Sequence, residues 1–120
     1  MAHVVALVDD LFFQAKLLET AKHLDVDLRT CTTADALDEE IAKVKPKLIV
    51  VDLNARSNPI DAVERMRLHA SEIPLLGFFS HVQVELAELA RAAGCHDVMP
   101  RSKFFRDLAT IFAQVKSQSR

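Results

Sequence analysis

Short apolar runs alternate with amphipathic stretches along the whole chain. The continuous apolar runs span residues 4–8, 48–51 and 75–79, whereas residues 28–32 alternate between apolar and polar side chains. Residues 97–99 form a shorter segment of the same kind. A continuous apolar run of this length is typical of a strand buried on both faces, as in a parallel sheet. We therefore predict five strands, with residues 28–32 as a more polar edge strand.

Apolar residues at helical spacing lie between these runs. Thr33 or Thr32 is a suitable N-terminal cap for the second helix, Ser102 for the last one, and Gly94 is a suitable stop for the fourth. The predicted helices span residues 11–24, 34–44, 60–68, 82–93 and 103–116. The apolar residues expected to face the core are Leu11, Ala15, Leu18 and Ala21 in the first helix, Ala34, Leu37, Ile41 and Val44 in the second, Val63 and Met66 in the third, and Leu86, Leu89, Ala90 and Ala93 in the fourth.

The alternation of strand and helix indicates the fold class. A helix after each strand returns the chain to the same edge of the sheet, so the strands are parallel and the crossovers right-handed. The prediction is an α/β fold, a doubly wound five-stranded parallel sheet with five helices, which is flavodoxin-like. No linker, repeat or low-complexity segment interrupts residues 1–120, and we expect a single domain.

Composition excludes several classes of function. The net charge of −2 does not favour a surface for nucleic acid or for an anionic membrane. The chain has two glycines and no Tyr or Trp, which argues against a glycine-rich phosphate loop and against a base-stacking surface. Cys31 and Cys95 form no CxxC motif, and the N-terminal residues do not read as a secretion signal. A reduced, cytoplasmic location is therefore expected.

Three carboxylates follow predicted strands. Asp9 and Asp10 come directly after the first strand and Asp52 ends the third, so all three are expected at the carboxyl edge of the sheet, where ligands bind. Clustered carboxylates repel one another unless a cation compensates their charge. Mg²⁺ prefers oxygen ligands of this kind, and Asn54 could add a backbone carbonyl. The alternative is that these are solvated strand-end carboxylates without a ligand.

The whole chain resembles a response-regulator receiver domain of bacterial two-component signalling, of the chemotaxis-receiver kind. The residues that carry the resemblance are the pair Asp9 and Asp10, the central Asp52, and Gly94–Asp97 before the fifth strand. The resemblance implies the strand order 2-1-3-4-5. It implies that Asp52 accepts a phosphoryl group from a histidine kinase as a carboxylate nucleophile. Asp10, Asp52 and the Asn54 carbonyl would then hold Mg²⁺, with Asp9 acting through a metal-bound water.

The chain departs from the receiver pattern at the positions that usually form the switch. Receivers carry Thr or Ser at the end of the fourth strand, where this chain has Phe79, and Ser80 is one residue too late. A slip of one residue along a strand points the side chain to the other face. The usual lysine after the fifth strand is Arg101, and the usual aromatic switch residue is Val98. An atypical receiver is therefore expected, with a phosphorylation site but without the familiar coupling of hydroxyl and ring.

Three functions remain open from the sequence. The first is a phosphorelay receiver that takes its phosphoryl group from a histidine kinase or phosphotransfer protein. Its output would be a protein partner on the face formed by the fourth helix, fifth strand and last helix, and a homodimer is compatible with that face. The second is a receiver-like protein-binding module that works without phosphorylation. The third is an enzyme, which we do not expect, because an aspartyl phosphatase would need a second Asp where Asn54 stands.

Several other side chains are expected near the carboxyl edge. Phe12 and Phe13 cannot both face the core from one helix, so one of them should be partly exposed. His81 and His96 are expected near the same edge, but no His or Cys spacing indicates a transition-metal site. Lys16 is expected on a solvated helix face.

Overall fold

Parallel strands covered by helices on both faces form the protein. The computed structural model describes residues 3–56, 58–70, 72–80 and 83–117. The strands are β1 (Val4–Leu7), β2 (Leu28–Cys31), β3 (Leu48–Asp52), β4 (Leu75–Phe79) and β5 (Asp97–Pro100). The helices are α1 (Leu11–His23), α2 (Ala34–Val44), α3 (Pro59–His69), α4 (Val84–Ala93), α5 (Arg101–Arg106) and α6 (Leu108–Ser117).

The strand order is β2-β1-β3-β4-β5, and every neighbouring pair is parallel. This confirms the predicted fold class and the predicted order. β1 and β3 are buried along their whole length, as continuous apolar runs require. β2 lies at an edge and is partly exposed, in agreement with its alternating sequence.

Alternate residues of each strand face two separate hydrophobic clusters. Val5, Ile49 and Leu75 belong to the cluster beneath α2, α3 and α4. Val4 and Val50 belong to the cluster on the other face of the sheet, beneath α1, α5 and α6. Because successive side chains of a strand point to opposite faces, each residue at the end of a strand is committed to one side of the sheet.

The predicted inward faces of α1 and α4 were partly wrong. Leu11 is 78% exposed, Leu18 is 44% exposed and Leu89 is 58% exposed. Leu17 and Ala21 are the buried positions of α1, while the buried positions of α4 are alanines. An α4 face made of alanines brings the helix close to the sheet, so the larger leucine is left on the outside.

The last predicted helix is two helices, so the chain has six in its described part where five were expected. α5 already begins at Arg101, with Pro100 as its N-cap residue, and Ser102 lies within the first turn. The prediction of Ser102 as an N-cap was therefore wrong. Asp107 separates α5 from α6, yet its amide still donates to the Lys103 carbonyl and its own carbonyl accepts from Ile111. The interruption is thus a local irregularity in one helical path.

Local signals at other helix ends were read correctly. The Thr33 hydroxyl accepts a hydrogen bond from the Ala36 amide at 3.1 Å and caps α2. Gly94 ends α4 with a φ of +133°, a backbone conformation that side chains rarely allow. α4 begins at Val84 with Gln83 as its N-cap residue, so the predicted start at residue 82 lies outside the described residues. No helix in the described ranges has the length and apolarity that a membrane span requires.

Candidate functional site

Asp52 ends the central strand of the sheet at its carboxyl edge. It pairs in register with Phe78 of β4, and its neighbours in β3 are apolar and buried. The residue itself is only 5% exposed, which makes it the one buried acidic residue in the part of the chain that the structure describes. The fold therefore holds a carboxylate at the rim while removing most of the water around it.

Backbone amides hold the two carboxylates that follow β1. Asp10 is the N-cap of α1, and its Oδ1 accepts hydrogen bonds from Phe12 at 2.8 Å and Phe13 at 3.2 Å. Asp9 Oδ2 accepts from the Arg56 amide at 2.9 Å, which ties the end of β1 to the loop after β3. Such bonds orient the carboxylates and satisfy free helix and loop amides.

Burial dominates the electrostatics of Asp52. Loss of water raises its pKa above the ordinary value, and the negative charges of Asp9 and Asp10 raise the pKa further. The Asn54 amide, which donates to Asp52 Oδ1 at 2.9 Å, and the positive charge of Arg101 lower it. The pKa remains above the ordinary value, so a cation that approached this carboxylate would stabilise its charged form.

The carboxyl edge carries carboxylate oxygens of the chemical kind that Mg²⁺ binds. Asp9, Asp10 and Asp52 each keep a second carboxylate oxygen that accepts no hydrogen bond from the described residues. These side chains are not drawn together into a ready cluster of three ligands in the described part of the chain. Mg²⁺ uses few direct carboxylates and retains water, so two carboxylates and a carbonyl satisfy its preference.

Arg101 lies directly after β5 and stacks on an aromatic ring. Its guanidinium carbon is 4.7 Å from the centre of the Phe13 ring. Phe13 in turn stacks on Phe105 with ring centres 5.3 Å apart, and Phe12 is 64% exposed beside it. The prediction that one of the two adjacent phenylalanines is exposed is thus confirmed. Contact with the ring face orients Arg101 without neutralising its charge.

The two switch positions are part of the hydrophobic core. Phe79 is 6% exposed and Val98 is 6% exposed, and both belong to the cluster beneath α2, α3 and α4. Ser80 follows Phe79, and its side chain lies on the other side of the sheet edge, where it lines a cavity with Arg101. The structure therefore places Ser80 away from the usual position of the receiver hydroxyl.

Asn54 connects the loop after β3 to the loop after β4. Its Oδ1 accepts a hydrogen bond from the Ser80 amide at 2.8 Å. Its Nδ2 donates to Oε1 of Gln83, the residue that precedes α4. The residue two positions after the candidate nucleophile is thereby linked to the start of α4.

Some predicted neighbours of the site lie elsewhere, and others were missed. His96 precedes β5, so it lies at the opposite edge of the sheet from Asp52, where its Nδ1 accepts from the Leu75 amide. The expectation that His96 shares the rim was therefore wrong, and His81 lies outside the described residues. Sequence reasoning placed Phe13 near the site but missed its contact with Arg101, and it missed Gln83, because both contacts join distant segments. An acidic residue directly before a helix does signal the capping role of Asp10.

Comparison with solved structures identifies the fold. The receiver domain of NtrX from Brucella abortus superposes with a TM-score of 0.81 at 17% identity, covering 97% of this chain and 99% of that one. The chemotaxis response regulator CheY4 of Vibrio cholerae gives a TM-score of 0.81 at 17% identity, covering 96% and 98%. The chain has the receiver-domain fold.

The chain is similar to these receiver domains in backbone structure, whereas its sequence identity to them is low. No protein-family model and no curated protein matches the chain. The receiver fold covers 98% of this chain but only 28% of the longer NtrX structure, so its length corresponds to one domain of that protein. A further similar structure is the beryllofluoride-activated NtrC4 receiver domain dimer, with a TM-score of 0.77 at 14% identity.

Proposed function

We propose that the chain is an atypical response-regulator receiver in which Asp52 accepts a phosphoryl group from a phosphohistidine. The observation that supports this most is the buried Asp52 carboxylate at the end of β3, with Asp9 and Asp10 on one side and Arg101 on the other. In the transfer, an Asp52 oxygen forms a bond to phosphorus while the P–N bond breaks. The imidazole nitrogen keeps the electron pair and takes up a proton from water.

The residues at the rim have separate tasks in this proposal. Arg101 attracts the phosphoryl oxygens, and Phe13 holds its guanidinium in place. Asp10, Asp52 and the Asn54 carbonyl would hold Mg²⁺, and Asp9 would act through one of its waters. When bound, Mg²⁺ neutralises charge on the phosphoryl oxygens.

The proposal also covers the proteins that this chain would bind and the compartment in which it would act. The donor would be a histidine kinase or phosphotransfer protein, met by the exposed apolar residues beside the rim, Leu11 and Phe12. The output surface would be formed by α4, β5, α5 and α6, where Val84 and Leu89 are exposed. A second copy of the chain could use this surface, and the site of action would be the cytoplasm.

Intact mass after incubation with phosphoramidate and Mg²⁺ tests the proposal. The wild type should gain one phosphoryl group, and Asp52→Asn should gain none, because only the carboxylate can act as the nucleophile. Beryllofluoride should also shift NMR signals of the Asp52 region in the wild type alone. Equal behaviour of the two proteins in both measurements would reject phosphorylation at Asp52.

The second candidate is a receiver-like binding module that works without phosphorylation. The burial of Phe79 and Val98 favours it, because Phe79 has no hydroxyl to offer at the first switch position and Val98 has no ring to rotate at the second. This function predicts that partner binding is the same for the wild type and Asp52→Ala. A loss of about tenfold in affinity on that substitution, roughly 1.4 kcal/mol, would exclude it.

A further inference from the structure

A cationic cavity lies at the carboxyl edge of the sheet, on the side that carries α1 and α5. Its volume is about 440 Å³. It is lined by Lys16 of α1, Ser80 after β4, and Arg101, Ser102 and Phe105 of α5. Among the described residues, the lining contains two cations and two hydroxyl groups but no carboxylate, which is an arrangement suited to an anion.

The two cations of this cavity lie against aromatic rings and form no close ion pair with the described residues. Lys16 Nζ lies 5.0 Å from the centre of the Phe12 ring and 5.7 Å from that of Phe105. Arg101 rests on the ring of Phe13. Within the described ranges, neither cation forms an ion pair with a carboxylate. Aromatic faces orient a cation but leave its charge available to an incoming anion.

The alternation of β4 decides which hydroxyl group faces this cavity. Phe79 points into the core beneath α2, α3 and α4, so the next side chain, that of Ser80, lies on the opposite side of the sheet edge. The Ser80 amide is fixed by Asn54, the residue whose own amide holds Asp52. The serine is thus anchored to the loop that carries the nucleophile.

We propose that this cavity is the binding site for the phosphoryl group, with Lys16, Ser80 and Ser102 joining Arg101 as ligands of its oxygens. The inference rests on the proposed function of Asp52 and adds three residues to it. A phosphoryl dianion accepts hydrogen bonds on three oxygens, which matches the guanidinium, the ammonium and the hydroxyls around the cavity. Asn54 connects the cavity to the nucleophile, since its Oδ1 accepts from the Ser80 amide while its own amide donates to Asp52 Oδ1. Recognition of the phosphoryl group has thus moved to the α1 and α5 side, where Ser80 takes the place of the hydroxyl that Phe79 excludes.

Anion binding without chemistry is the first test. Asp52→Asn protein is titrated with orthophosphate, and amide NMR shifts around Ser80 and Arg101 are followed. The affinity should fall about fivefold in Lys16→Gln and in Arg101→Gln, because each removes a charge-assisted hydrogen bond. Lys22→Gln on the same helix is the matched control and should bind as before. The absence of a saturable shift, or an equal loss in Lys22→Gln, would overturn the inference.

Phosphorylation kinetics are the second test. With phosphoramidate, the P–N bond breaks, phosphorus bonds to Asp52 and ammonia leaves with the electron pair. Lys16→Gln should raise KM about fivefold and leave the maximal rate within about twofold, because the lysine binds the phosphoryl group but does not react. Ser80→Ala should weaken binding and Ser80→Thr should restore it. Free phosphohistidine should show the same losses, and a loss with phosphohistidine alone would place its imidazole in the cavity and contradict the inference.

The results separate this inference from the proposed function. If the wild type is phosphorylated at Asp52 but Lys16→Gln matches Lys22→Gln in both tests, the cavity inference fails and the proposed function stands. If Asp52 takes up no phosphoryl group while orthophosphate binding still depends on Lys16, the proposed function fails and the cavity remains a phosphate site.

Discussion

Replacing Phe79 by threonine restores the hydroxyl that receivers usually carry at the end of β4. In this chain the change should destabilise the protein, because Phe79 is 6% exposed and belongs to the core beneath α2, α3 and α4. Phe79→Leu is the matched control, since it keeps an apolar side chain of similar size. The comparison asks whether this position serves packing or switching.

The expected cost follows from the burial of the ring. Truncating a buried phenylalanine to alanine costs about 3–5 kcal/mol. The threonine methyl recovers about 0.8 kcal/mol of that, while a buried hydroxyl without a partner costs about 1–3 kcal/mol. Phe79→Thr should therefore lose about 3–7 kcal/mol, out of the roughly 5–15 kcal/mol that holds a domain of this size together. Phe79→Leu should lose under about 1.5 kcal/mol.

Urea unfolding followed by far-UV circular dichroism measures both variants against the wild type. The slope of the transition should stay constant while the midpoint falls, and it should fall furthest for Phe79→Thr. Phe79→Leu should also match the wild type in phosphoryl uptake, because the ring faces away from the cavity that Ser80 and Arg101 line. If Phe79→Thr loses less than about 1 kcal/mol and no more than Phe79→Leu, the packing argument is wrong.

Three further predictions concern burial and backbone strain. The pKa of Asp52 is raised in the folded protein above the ordinary carboxyl value of 3.8, so the free energy of unfolding falls as the pH rises from 3.8 through the folded pKa. Asp52→Asn should therefore be more stable than the wild type at pH 7 and lose that advantage at lower pH. Urea midpoints across this range check the sign, and a gain independent of pH would refute it. Gly94→Ala should cost about 1–3 kcal/mol of stability, because Gly94 has a positive φ. The cost should persist in an Arg67→Ala background, which removes the Arg67 Cδ that would lie 2.8 Å from the added Cβ. Burial raises the pKa of Cys31 to about 11 and of Cys95 to about 12, so both thiols should react slowly with a disulfide reagent until urea unfolds the chain; rapid labelling of the native protein would contradict this.

The position of Asp52 could be predicted because its strand is buried on both faces. A continuous apolar run followed by a carboxylate has one stable placement in a parallel sheet, with the acid at the carboxyl edge. The same reasoning applied to Asp9 after β1 and to Arg101 after β5. It failed for His96, which precedes its strand and therefore lies at the other edge.

The sequence pattern could not predict contacts between segments that are far apart in the chain. Lys16 is exposed, as expected, but the sequence pattern could not show that its ammonium group lies over Phe105 of α5. The buried face of α1 could not be predicted for a similar reason. Leu17 and Leu18 are equally apolar, and only the position of the sheet decides that Leu17 is buried and Leu18 exposed.

Local periodicity alone determined the order of the elements, the parallel sheet and the edge that carries Asp52, because these depend on burial and chain direction. Only the tertiary structure decided which side of that edge each side chain occupies. Phe79 packs beneath α4, and Ser80 lies beside Lys16 and Arg101. Side-chain direction alternates at every residue of a strand, so a shift of one position moves a side chain from the core face to the face that carries the cavity.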